Sequence, residues 1–434
     1  MNFSYYAKEL LSIALSIIMG NLGFILIGAG DVLIAGRHST DTLAAVGIAT
    51  AILNCLIIFG IGLISSITPI LSNIRGEGQS AAKYFYPTLR FAFFISVIIM
   101  IAILAVIPLI DLMGFEQSLV KQVKDFMFIT AFSTFVIYLH GSLKEFLQAH
   151  EIVFFPNLLN LICVVFNVAL CALFVFGCGP VPSMGVVGIA AATFIVRTFM
   201  AVVLLIYCYK IMHFEDYTDR EYYKSIFKIG LPISLAILIE FAAFNSIAVL
   251  MGRISSIYAA AQNLVAVLMA VFFMIPLAIS NAIAVKVGFA NGSGNLYDLK
   301  NYSFTGIFIS AGFMLCSGVI LAVFPEFFVK LFTSDAALIK ITVPILYIAA
   351  MFQIFDGLQV SLSGVFKGIK KTGVVMLANL TAYWFVSFPL GCALAFKYKL
   401  YLAGFWYAFI FGGILLCLIM FAFLVSYLRR RAVN

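Results

Sequence analysis

A chain of 434 residues in which 64% are hydrophobic, 10% are charged and 45 are Phe carries more apolar side chain than a soluble core can bury. A mean hydropathy of +1.15 excludes a water-soluble globular or disordered protein. The net charge of +8 is spread over separate short segments, which leaves nucleic-acid binding without support. What remains is an all-α polytopic membrane protein.

Apolar runs near or above the roughly 20 residues that cross a bilayer occupy approximately 9–36, 43–72, 88–113, 126–147, 155–177, 185–209, 226–252, 257–288, 301–325, 339–366, 373–396 and 402–428. They predict twelve transmembrane helices. The first run lacks a basic leader and a small-residue cleavage site and is too long for a secretion signal, so it is expected to stay as the first helix. Gly28, Gly30, Pro232 and Pro276 predict bends where neighbouring helices can satisfy the freed backbone groups. The polar stretch 210–228 is the longest charged interruption and divides the runs six and six. Two six-helix lobes, 1–212 and 226–434, joined by a cytoplasmic linker at 213–225, are therefore expected.

Cytoplasmic loops retain Lys and Arg during insertion. Placing both termini inside assigns 17 of the 26 basic residues to that side, from Lys8 and Arg75 through Lys144, Lys286, Lys367, Lys370 and Lys371 to Arg429, Arg430 and Arg431. Eight fall outside, and Arg197 lies within the sixth run, where it either pairs with a buried acid or snorkels to an interface. The first of these is the favoured reading. The basic residues of the loops and of the C-terminus read as anchors against anionic headgroups.

The halves echo one another. LIAGR ending at Arg37 matches VLMGR ending at Arg253, an offset of 216 residues, and the Gly-rich turns at Gly78 and near Gly292 correspond at nearly the same offset. Repeats of this kind place a substrate path between halves that move against each other. Similar pairs also arise in channels and by composition alone.

Asp31, Glu240 and Asp356 stand deep in apolar runs. A carboxylate at bilayer depth costs about 2.5–3.5 kcal/mol on insertion scales, so its presence points to a task, and ion binding is the one that fits. Out of water such a group is stable only when neutralised, by a proton or by a cation, and exchange between the two is a coupling mechanism. For Asp31 the alternatives are a protonation switch, a counter-charge for a cationic substrate, or a protonated residue that holds helices together. Gln262, Asn263, Asn281, Gln353 and Gln359 either line a cleft or make interhelical contacts. Phe272, Phe273 and Met274 suit a greasy cleft or face lipid. Asp335 reads as a helix cap or a loop charge ahead of the tenth helix, and solvation is the favoured reading.

The eight cysteines mostly fall in apolar runs without CxxC or Cys/His spacing and read as packing residues, with no zinc or disulfide expected. His38, His140, His150 and His213 fall at loops or helix edges and form no pattern with a nucleophile or an acid, which disfavours an intramembrane enzyme. A cation channel is disfavoured too, because the three acids occupy non-equivalent places in the two halves.

The segments GDVLIAG with Asp31, LAAVGIA, GLPISLAILIEFAAF with Glu240, AAAQNLV, FFMIPLAISNAIAVKVG and MFQIFDGLQVSLSGVFKGIKKT with Asp356 resemble, in order and over nearly the whole length, the multidrug and toxic compound extrusion family, in its NorM-like bacterial branch. The resemblance implies a V-shaped pair of six-helix bundles in a bacterial inner membrane. It also implies export of amphipathic, often cationic drugs and dyes against Na⁺ or H⁺, with no cofactor and no obligate protein partner. Glu240 and Asp356 match the family's cation-binding pair, Asp31 its helix-1 acid, and Asn167 and Thr193 an N-lobe polar site. Phe352 stands near a place where the family often has a hydroxyl-bearing aromatic, and Cys171 where Asp or Asn is common. Both are departures, and a thiol is a poor ligand for a hard cation. A lipid-linked oligosaccharide flippase of the same superfamily is the alternative. Such proteins present basic residues to a diphosphate, whereas the buried charge here is mostly acidic.

Overall fold

The computed structural model describes residues 3–114, 116–214 and 217–433; Glu215 and Asp216 of the expected linker lie outside them. Backbone amides inside a bilayer have no water to bond, so a spanning segment must satisfy itself as a helix. Twelve helices long and apolar enough to cross a membrane follow, and we number them in chain order. They are α1 (Phe3–His38), α2 (Thr40–Gly76), α3 (Ala81–Met113), α4 (Gln117–Ala149), α5 (Phe154–Phe176), α6 (Val186–Ile211), α7 (Arg220–Gly252), α8 (Ser256–Gly292), α9 (Leu296–Val323), α10 (Ala336–Gly368), α11 (Thr372–Lys397) and α12 (Tyr401–Ala432). A short helix, Pro325–Lys330, precedes α10. The described residues contain no strand, only an isolated bridge between Cys178 and Val181.

The helices overrun the apolar runs that predict them, because turns beyond the hydrocarbon keep their hydrogen bonds and turn polar side chains to water. Thus α4 starts at Gln117 rather than 126, and α7 starts at Arg220, inside the polar stretch 210–228, rather than at 226. Side-chain caps fix several starts. Ser39 Oγ accepts the Thr42 amide at 3.0 Å ahead of α2, and Asp335 accepts the Ala337 amide at 2.8 Å ahead of α10, so it caps the helix rather than standing only as a solvated loop charge. Two irregularities have no precedent in the sequence pattern. In α2 the hydroxyls of Ser65 and Ser66 bond back to the Gly62 and Leu63 carbonyls at 2.8 and 2.7 Å, where the helix breaks. In α11 the backbone widens to π-helix over Leu380–Ser387 and again over Ala393–Lys397.

The chain divides into two compact units. One comprises residues 15–74 and 79–234; the other comprises residues up to 14, 75–78 and those from 235 onward. In the first unit α4 is the central post, packed by α2, α3 and α6, while α5 packs on α6. Its core is aromatic as well as aliphatic: Phe85, Phe146 and Tyr138 are fully buried, and Phe85 stacks on Phe214 at 3.7 Å. The second unit is centred in the same way on α10, packed by α8, α9 and α12. Phe244, Phe352, Tyr383, Trp406 and Phe409 form its aromatic heart. The first turns of α1 are tied into this unit by the Glu9–Lys286 ion pair at 2.7 Å and by Tyr6 donating to Asp298 at 2.6 Å. Lys286 is therefore a buried, paired group inside α8 rather than a loop charge. Outward faces carry Phe93, Phe128, Val165, Phe308, Phe385 and Phe411, all exposed, as a lipid-facing surface requires.

Candidate functional site

In the second unit α7 and α10 bring Glu240 and Asp356 to one amide. Gln359, one turn after Asp356, donates through Nε2 to Glu240 Oε1 at 3.2 Å and to Asp356 Oδ1 at 3.1 Å. A single NH₂ group has one proton for each acceptor, so the amide joins two acids it cannot neutralise. Asp356 and Gln359 are buried. The walls on one side are dry: Phe244, one turn along α7 from Glu240, and Phe352, one turn before Asp356, lie 6.1 Å apart and contact Trp406 and Phe409. Beside Asp356, α10 packs closely against α9. A Cβ on Gly357, next to Asp356, would lie 2.6 Å from Met314 of α9.

The first unit holds its own acid. Asp31 on α1 receives Thr193 Oγ1 of α6, which lies 3.1 and 3.0 Å from its two oxygens, and Cys171 Sγ of α5 at 3.2 Å. Asn167, one turn before Cys171, donates to Thr193 Oγ1 at 3.0 Å. Gly30 gives α5 room to come this close, since a Cβ there would stand 2.8 Å from Val168. Asp31, Asn167 and Thr193 thus meet, and Cys171, marked by the sequence as a weak place, joins them as a thiol donor. Arg197 stands on α6 one turn beyond Thr193, the residue that bonds Asp31. It forms no ion pair with that acid among the described residues.

The remaining polar positions scatter. Gln262 is buried and accepts the Trp406 indole N–H at 3.0 Å. Gln353 is buried between α8, α9 and α10, where Ser317 donates to it at 2.5 Å and its own amide reaches Met269 Sδ at 3.6 Å. Asn263 is exposed and Asn281 half-buried. Phe272 packs on Phe328 at 5.9 Å. Two residues near the Glu240–Asp356 pair are absent from the sequence reading, Asn379 and Tyr383 of α11. Each buries an oxygen that has no hydrogen-bond partner among the described residues.

Twelve long apolar helices with carboxylates held at their interior contacts define a polytopic helical membrane protein of the transporter class. The family model MatE matches residues 16–173 and 232–392, and the chain belongs to the MatE family, whose members are transporters rather than enzymes. The two matched stretches begin 216 residues apart, the offset that aligns LIAGR with VLMGR. The chain is 28% identical to a probable multidrug resistance protein NorM of Mesorhizobium japonicum, covering 98% of this chain and 94% of the relative. It is 25% identical to the multidrug resistance protein NorM of Aliivibrio fischeri, covering 98% and 96%. Among solved structures it superposes on a eukaryotic MATE transporter, AtDTX14, with a TM-score of 0.89 at 19% identity over 99% of both chains. A MOP superfamily transporter from Pyrococcus furiosus gives 0.90 at 18% identity over 98% and 97%.

Proposed function

We propose that this multi-pass membrane protein is a secondary active multidrug exporter of a bacterial inner membrane. It moves amphipathic and cationic organic compounds outward in exchange for Na⁺ or H⁺, by alternating access between two lobes, 1–212 and 226–434, with both termini in the cytoplasm. Glu240 and Asp356 are the coupling pair, and Asp31, with Asn167 and Thr193, is a second polar site in the N-terminal lobe. The carrying observation is the Gln359 amide shared between Glu240 and Asp356 at 3.2 and 3.1 Å. Two acids joined by one neutral group in an apolar interior need a positive charge for stability, and a monovalent cation or a proton supplies it. Hard oxygen donors suit Na⁺. Cation uptake favours one of two transport states and lowers drug affinity there, and cation release reverses the bias. The names of the NorM relatives support the choice of multidrug cargo.

The test is ethidium efflux from cells or vesicles with a Na⁺ gradient and a pH gradient imposed separately. Glu240→Gln and Asp356→Asn are expected to lower gradient-driven efflux at least about tenfold, while detergent-extracted protein keeps its elution profile. Efflux that persists undiminished in both variants rejects the pair as the coupling site, and the gradient that sustains wild-type efflux identifies the ion.

A further inference from the structure

The third wall of the C-terminal pair is α11, and its hydrogen bonds pin it to the turns of α7 around Glu240. Asn379 Nδ2 donates to the Ala236 carbonyl at 3.3 Å, one turn before Glu240. Trp384 Nε1 donates to the carbonyl of Ile239, the residue before it, at 3.0 Å. Between these two anchors lies Tyr383, fully buried, its ring centroid 6.2 Å from that of Phe244 and 5.7 Å from that of Phe409. Its hydroxyl has no hydrogen-bond partner among the described residues, nor has Asn379 Oδ1 one turn earlier.

Buried hydroxyls and amide oxygens are nearly always bonded, because leaving one unmade in the interior is costly. Two such oxygens at helical spacing, on the face that touches the Glu240 turns, call for an occupant. The backbone is shaped to present them: Leu380–Ser387 is π-helical, and the Phe388 amide reaches back five residues to the Tyr383 carbonyl. Widened turns of this kind recur at functional sites. Across the aromatic cluster, α10 offers Phe352, 1% exposed and without an oxygen.

We propose that Tyr383, with Asn379, completes the cation site, the two supplying neutral oxygen ligands from α11 beside the carboxylates of Glu240 and Asp356. The inference rests on the reading of that pair as a cation site. A phenol oxygen offers its lone pairs to a cation without carrying a charge of its own. The neutral ligands add coordination without adding negative charge, which suits a cation of single charge and a site that must release it.

The experiment uses purified full-length protein in detergent and titrates NaCl against choline chloride, reading thermal unfolding and the fluorescence of Trp384, which neighbours the site. Tyr383→Phe keeps the ring and removes the oxygen. The Na⁺ concentration for half-effect is expected to rise about tenfold or more. In sodium-free buffer the variant should unfold no lower than wild type, because the group removed lacks a partner there. The double variant Phe352→Tyr with Tyr383→Phe returns a hydroxyl to the same aromatic cluster from α10 and is expected to recover the half-point to within about threefold. A Tyr383→Phe protein that titrates like wild type overturns the assignment. So does one that unfolds early without sodium and is not rescued by the second substitution. Glu240→Gln separates this from the underlying reading: if it too keeps the full Na⁺ response, the carboxylate pair is not the site and both readings fall. Loss in Glu240→Gln alone removes only the tyrosine.

Discussion

Asp31 is held by groups of unequal strength, and that inequality ranks their replacement. Thr193 faces both carboxylate oxygens and accepts from Asn167. Thr193→Val therefore removes the donor to the acid and strands a buried amide, at a cost of about 1–3 kcal/mol. Cys171→Ala removes one S–H donor, the weaker kind, and is expected to cost ~1 kcal/mol or less. Thermal unfolding of the two variants side by side in detergent checks the order; equal losses would show that the thiol does more than its chemistry allows. These residues differ in how far the sequence gives them away. Asp31, Glu240, Asp356, Asn167 and Gln359 stand out because charge and amides are rare in apolar runs and costly there. Tyr383 does not stand out, since TAYW in a membrane span reads as an interfacial aromatic as readily as a ligand. That the Cys171 thiol lies 3.2 Å from Asp31 is a matter of helix rotation, and no spacing in the chain encodes it.

Along α1 the glycines serve different ends, and substitution separates them. A Cβ on Gly23 would stand 2.9 Å from the α5 backbone at Asn160 and Leu161, whereas one on Gly28 would meet nothing within 4 Å. Gly23→Ala forces two backbones apart and is expected to destabilise by about 1–3 kcal/mol, the usual range for overpacking. Gly28→Ala gains helix propensity in open space and is expected to be neutral or to stabilise by up to about 1 kcal/mol. Unfolding temperatures of the two variants in one detergent decide it, and a loss at Gly28 equal to that at Gly23 defeats the close-approach argument. At this scale the existence and order of the twelve helices follow from hydropathy, because a bilayer leaves a long apolar run no other fold. The break in α2 and the π turns of α11 do not follow. Both are choices among backbone hydrogen-bond patterns that the same apolar side chains accept equally well.

Duplication is written into the backbone of the whole molecule as well as into its motifs. Gly78 and Gly294 take positive φ of 77° and 70° after α2 and α8, and Glu151 and Lys370 take 63° and 59° after α4 and α10. These turns stand 216 and 219 residues apart, beside the 216 of LIAGR and VLMGR. Six helices plus six return the chain to the side it started from, so one experiment on orientation fixes every loop. The excess of Lys and Arg on the side assigned to both termini predicts that the α5–α6 connection faces outward. A natural probe sits there: Cys178 is exposed between α5 and α6, whereas Cys163, Cys171 and Cys208 are buried, and Cys55 and Cys316 are exposed within spans. A thiol must reach water to ionise and react. A charged, membrane-impermeant maleimide applied to right-side-out vesicles is therefore expected to label the protein, and Cys178→Ser to abolish most of that labelling. With that background, a cysteine introduced by Arg430→Cys should stay unreacted until the vesicles are opened. Labelling of the introduced cysteine in sealed vesicles, together with protection of Cys178 in the parent protein, would invert the orientation and move the three terminal arginines to the outer face, against the charge asymmetry on which the assignment rests.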